Sequence, residues 1–242
     1  MSNIYFDMRI HQIRTHLQIL VIIGVLICLI CIPSTIGFSS DVKSVDDVKT
    51  IYLTGFGPFL NFSENPSELV VNILNQTTIE GHLIQGRILP VNFTEAPQII
   101  QQDIEQLDPE LIICLGLDAS CKGLTIELIG MNLQYDSTAQ KPLISLKRIQ
   151  KHGPFILTTK LDVRQMYHAL REDDIPVEMS ISAGLYVCNT VFYQTLYYLH
   201  DESLEIPMGF IHIPLLENHS ASGMSLDVMI DGIITILMSN IQ

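Results

Sequence analysis

Residues 111–115 (LIICL) are apolar at five successive positions, a run ended by Gly116. A strand with one wet face alternates apolar and polar residues, whereas a strand apolar on both faces has both covered. The run therefore predicts a central strand with helices packed on either side, which confines the chain to an α/β architecture. Around it the hydrophobic period switches repeatedly between two and 3.6. Strand patterns fall at residues 50–54, 87–89, 155–157, 177–181 and 208–213, with loop and strand across 118–136. Helical spacing falls at 67–75, 96–107 and 163–171, after the turn Ser182-Ala183-Gly184, and from Ser225 to the chain end. This alternation predicts a three-layer α/β/α sandwich around a mostly parallel, twisted mixed sheet.

One segment lies outside that pattern. Residues 19–32 (ILVIIGVLICLICI) are unbroken apolar or small residues, preceded by Arg9 and Arg14 and followed by Pro33-Ser34-Thr35. This is the outline of an export signal. As a helix at about 1.5 Å per residue it falls short of a ~30 Å bilayer unless the whole of 17–38 is recruited as a tether. Asp41, Asp46 and Asp47 follow it, so the charge asymmetry sends the remainder to the non-cytoplasmic side. The expected organisation is an export signal or membrane anchor over 1–40, a polar linker over 41–49 and a folded domain over 50–242. The expected location is secreted or membrane-anchored, with that domain non-cytoplasmic.

A formal charge of −13, with only 13 Lys and Arg in 242 residues, excludes nucleic acid as a partner, because phosphate backbones are held by clustered cations. Of the five cysteines, Cys28 and Cys31 lie in the apolar run. Cys114, Cys121 and Cys188 remain, an odd number with no metal-type pair spacing. No metal and no cofactor is expected.

Ligands of open α/β sheets gather where strands end at their carboxyl edge. The loop GFGPF at residues 55–59 leaves the first strand, but it is neither G-x-G-x-x-G nor G-K-[ST]; its aromatics and proline describe a shaped apolar wall or a rigid turn. Cys188 follows the Ser-Ala-Gly turn in the first turns of a helix, where free N–H groups and the dipole favour a thiolate. The competing reading is packing, since free cysteines are commonly buried, as Cys114 within LIICLG should be. His212 ends the strand GFIHI, 24 residues after Cys188, and a helix-then-strand return can bring its imidazole to the thiol as a base. Glu127, a carboxylate among apolar neighbours in TIELIG, is the acidic candidate to orient that ring.

These residues resemble the pyroglutamyl-peptidase I family of cysteine peptidases over about residues 50–240. The resemblance rests on LTGFGPF…NPS at 53–67, TIE at 125–127, AGLYVCN at 183–189 and GFIHIP at 209–214, in that order, with MSLDVMIDGI similar to the closing helix. It implies a phosphorylase/hydrolase-like version of the sandwich and a catalytic set of Glu127, Cys188 and His212. It also implies substrate-binding residues Phe56, Phe59, Asn65, Tyr186 and Val187. The implied function is a cysteine exopeptidase, an omega-peptidase, that hydrolyses the bond after an N-terminal pyroglutamyl residue, so the partners are peptides that begin with pyroglutamate. A homo-oligomer stays open. The alternative is a catalytically silent pyroglutamyl-peptide-binding homologue of the same fold. The pattern departs from the family at Leu117 and Leu128, where many members carry glutamine and arginine, and in the loop 118–123 with Cys121.

Overall fold

The structure, a computed structural model, describes residues 49–60, 62–135 and 145–241. In chain order the first elements are β1 (Thr50–Phe56), α1 (Pro66–Leu74), β2 (Thr78–Ile79), β3 (His82–Leu89), α2 (Glu95–Leu107), β4 (Leu111–Leu117) and β5 (Leu124–Glu127). Then follow β6 (Ile129–Met131), β7 (Gln134–Tyr135), β8 (Leu146–Lys147), β9 (Ile156–Thr158), α3 (Val163–Glu172), β10 (Val177–Ser180), α4 (Val187–Asp201), β11 (Met208–Ile213) and α5 (Leu226–Met238). These elements belong to one compact unit.

Seven strands form the main sheet in the order β10-β5-β11-β4-β1-β3-β2. Strands β11, β4, β1 and β3 run parallel, β5 pairs antiparallel with β11, and β10 follows β5. Every residue of β4 is buried, as its unbroken apolar sequence requires. Its two faces carry separate cores. Leu111, Ile113 and Leu115 meet Val70, Val71 and Leu74 of α1, Met166 and Leu170 of α3, and Met229, Ile233 and Ile236 of α5. Ile112 and Cys114 meet Ala96, Ile100 and Ile104 of α2 and Val191, Phe192 and Leu196 of α4. The result is a three-layer α/β/α sandwich around a mostly parallel mixed sheet.

Local chemistry sets the helix starts. Pro66 stands in the first turn of α1, where no N–H is needed, and the Asn65 side chain accepts from Ser67 N. Gly184, at φ +74, supplies the left-handed turn that leads into α4.

The structure departs from the sequence reading at three strands. β3 begins five residues before the expected 87–89, because Gly86 interrupts its alternation; that glycine admits the Asn75 side chain, whose Oδ1 accepts the Gly86 N–H at 2.8 Å. β4 does not end at Gly116 but continues to Leu117. The strand expected at 155–157 joins β6 in a small sheet of its own, outside the main one.

The export signal or anchor of 1–40 and nearly all of the linker 41–49 lie outside the described residues. The expected location is corrected: among the described residues no helix is long and apolar enough to cross a membrane. The longest, α4, has 15 residues, about 22 Å at the helical rise, against a hydrocarbon core of roughly 30 Å.

Candidate active site

Register across β5 and β11 builds the first half of the site. Thr125 lies opposite His212 and Glu127 opposite Phe210, so Glu127 and His212 are diagonal neighbours on one face, within reach of long side chains. His212 Nδ1 stands 2.8 Å from Glu127 Oε1. A carboxylate can only accept, so Nδ1 carries the proton and Nε2 is left for a second partner. Glu127 is 2% exposed, and its Oε2 has no hydrogen-bond partner among the described residues.

Helix α4 supplies the second half. Cys188 lies one residue inside its start, half-buried, with its side chain in hydrogen-bonding reach of the His212 ring. The helix start is fixed from behind by Asn189, which is wholly buried. Asn189 donates to Met131 O at 2.9 Å and Leu133 O at 2.8 Å, and accepts from Met131 N at 2.9 Å. The small β6–β9 sheet therefore anchors the turn that carries the thiol. The N-cap residue Tyr186 makes no side-chain capping bond, so it leaves the first N–H groups of α4 and the positive end of the helix dipole unsatisfied by its own side chain.

The electrostatics follow from these contacts. Burial by itself would lower the affinity of His212 for a proton. The hydrogen bonds to Cys188 and Glu127, and the negative charge of both, outweigh burial and raise the ring to about 10. Asp118, one residue beyond β4, interacts electrostatically with the His212 ring. Burial pushes its carboxyl up, but hydrogen bonds from Ser120 and the positive charge of His212 hold it below the usual carboxylate range. Burial pushes the other thiols up, Cys114 to about 12 and Cys121 to about 11.

The family model for pyroglutamyl peptidase matches residues 49–240. The chain belongs to the pyroglutamyl peptidase family. Among its relatives, the pyrrolidone-carboxylate peptidase of Halalkalibacterium halodurans is 36% identical over 181 residues, 74% of this chain and 90% of that protein. Pyrrolidone-carboxylate peptidase 1 of Saccharolobus solfataricus is 35% identical over 194 residues, 76% of this chain and 90% of its own. Among solved structures, the pyrrolidone carboxyl peptidase from Thermococcus litoralis superposes with a TM-score of 0.74 at 28% identity, covering 80% of this chain and 93% of that one. The kinship thus lies in the folded domain, and it lends no support to a signal peptide, a transmembrane helix or a non-cytoplasmic location.

Within this member of the pyroglutamyl peptidase family, the residues expected to contact substrate occupy different depths. Tyr186 is 43% exposed and meets the Phe93 ring edge-on at 5.1 Å. Phe59 is partly exposed and packs on Phe62 at 5.5 Å. Phe56 and Val187, the latter the first residue of α4, are buried in the core on that side of the sheet. Asn65 is fully buried, with its amide committed to Gly57 O at 3.0 Å and its Oδ1 to Ser67 N and Oγ; it holds the GFGPF loop from behind. Sequence reasoning passed over Phe93 and Asp118. Both follow carboxyl ends of parallel strands, β3 and β4, so the rule that drew attention to GFGPF would have found them.

Proposed function

We propose that residues 50–242 form a thiol exopeptidase domain that hydrolyses the bond after an N-terminal pyroglutamyl residue of a peptide. The observation that carries this reading is the Glu127–His212 hydrogen bond with Cys188 in hydrogen-bonding reach of the same ring, within a chain of the pyroglutamyl peptidase family. With the His212 ring already protonated, the Cys188 sulfur attacks the scissile carbonyl carbon as a thiolate. The tetrahedral oxyanion is stabilised by the uncapped N–H groups at the start of α4. His212 then protonates the leaving amine, the C–N bond breaks and a thioester remains. Water, deprotonated by His212, attacks the thioester; the C–S bond breaks, the pyroglutamate carboxyl is released, and the proton stays on His212 beside the freed Cys188 thiolate. Glu127 holds Nδ1–H throughout, which fixes the tautomer that keeps Nε2 facing the thiol.

Pyroglutamate presents a neutral lactam ring, flat and with few polar atoms. Aromatic walls such as Phe59, Tyr186 and Phe93 suit it better than a charged pocket would, since an unpaired charge there would be desolvated without compensation. The test is turnover of a pyroglutamyl chromogenic amide compared with its prolyl and glutamyl analogues. Selective release from the pyroglutamyl compound is expected. Binding of that compound without release would instead make the chain a silent homologue.

A further inference from the structure

Strand β4 directs Ile112 and Cys114 onto the face covered by α2 and α4, and the two-residue strand repeat puts Gly116 next on that face. On β11 the same face carries Met208 and Phe210, then His212, which lies in register with Gly116. Any other residue at 116 would direct a side chain into space already filled. A Cβ there would stand 3.0 Å from Cys188 Sγ, 2.8 Å from Phe210 Cζ and 3.0 Å from Phe210 Cε1, all closer than ordinary van der Waals contact.

Neither neighbour can withdraw freely. The Phe210 ring is fully buried, wedged between Phe192 at 5.9 Å and the His212 ring at 5.0 Å. Cys188 is held by a helix start that Asn189 ties to Met131 and Leu133. A side chain at 116 would therefore displace the sulfur, the ring that packs against the imidazole, or both.

We propose that Gly116 is a positioning residue for the thiol: the missing side chain is the seat in which Cys188 Sγ rests beside His212. The proposal builds on the reading of Cys188 as the nucleophile, but Gly116 itself touches neither substrate nor the bond that breaks. It acts through Cys188 and Phe210. This role also accounts for a glycine inside a buried strand that otherwise consists of large apolar residues, where glycine weakens the strand unless something must approach closely.

Three variants test it: Gly116→Ala, Cys188→Ala and the double variant. In the single glycine variant kcat should fall on the order of 10²-fold with KM within about threefold, the scale of a displacement near 1 Å at a reacting group. Alkylation of Cys188 by iodoacetamide, followed by mass spectrometry of its peptide, should slow in parallel. Thermal melts give an independent reading. If the added methyl meets the sulfur, Gly116→Ala should lower Tm less in the Cys188→Ala background than in the wild type. An unchanged kcat and alkylation rate overturns the proposal. So does an equal loss of Tm in both backgrounds, failure of both to fold included, since that assigns Gly116 to packing against Phe210 alone. A wild-type chain without pyroglutamyl turnover would strike the peptidase reading only, because the melts and the alkylation do not depend on it.

Discussion

Two buried carboxylates on the same side of the sheet show opposite treatment. Asp103 of α2 is 4% exposed, and both of its oxygens are occupied. Oδ2 accepts from Tyr52 Oη at 2.5 Å and from Arg87 Nε at 2.7 Å, and Oδ1 accepts from Arg87 Nη2 at 2.7 Å. Glu127 is buried as deeply but has one hydrogen bond, to His212, and an Oε2 with no partner among the described residues. Asp103 has the saturated geometry of a group that locks α2 to β1 and β3. Glu127 is left incompletely compensated, which costs stability and is tolerated where a function requires it. The contrast separates a carboxylate that serves the fold from one that serves an imidazole.

The contrast can be broken or sharpened by substitution. The largest effect belongs to Cys188→Ala, which should abolish pyroglutamyl turnover with Tm nearly unchanged. Full activity in that variant would remove the cysteine mechanism. Next, His212→Ala should reduce kcat/KM by at least ~10²-fold, the scale of a lost general acid–base, and an unchanged rate would return GFIHIP to the status of an ordinary strand.

The third prediction is a double dissociation. Glu127→Gln keeps an acceptor for Nδ1–H and removes a buried charge, so it should lower kcat/KM about tenfold, with Tm equal to or above the wild type. Asp103→Asn should leave kcat/KM within about twofold and lower Tm by a few degrees, equivalent to ~1–2 kcal/mol for the loss of charge-assisted bonds to a half-exposed arginine. Reversal of the two outcomes would refute the assignment of roles.

The smallest effect is in pH dependence. His212 is raised in the folded state to about 10 from an ordinary 6.5, so its contribution to stability is complete below about 6.5 and is lost as pH rises through 10. Cys188→Ala removes part of the cause. Wild-type Tm should therefore decline more than that of Cys188→Ala between pH 7 and 10. Parallel Tm profiles would dissociate the raised imidazole from Cys188.

The location expected from the N-terminal run shows where local pattern misleads. Residues 19–32 have the composition of an export segment, but composition reports only what the segment could enter, whereas the kinship resides in the domain from residue 49 onward. Asn65 shows how much of a residue's setting a motif leaves open. Its motif points to substrate, while its position behind the GFGPF loop, bonded to Gly57 O and Ser67, points to the shape of that loop. A residue type and a spacing cannot say which way an amide faces.

What the sequence determined alone is the layer order and the identity of the chemical groups. The unbroken apolar run in β4 requires cover on two sides, and the alternation of periods supplies helices to provide it. A thiol after a small-residue turn and an imidazole at a strand end can be read without coordinates, because each follows from local rules about helix starts and strand ends. What only the tertiary structure decided is the alignment among them. The antiparallel course of β5, which makes Glu127 diagonal to His212, is a long-range pairing with no local signature. The continuation of β4 through Gly116 belongs to the same class. By sequence that glycine ends a strand, whereas in the fold it keeps the strand going and clears a space, because the atoms it avoids belong to Cys188 and Phe210, far along the chain.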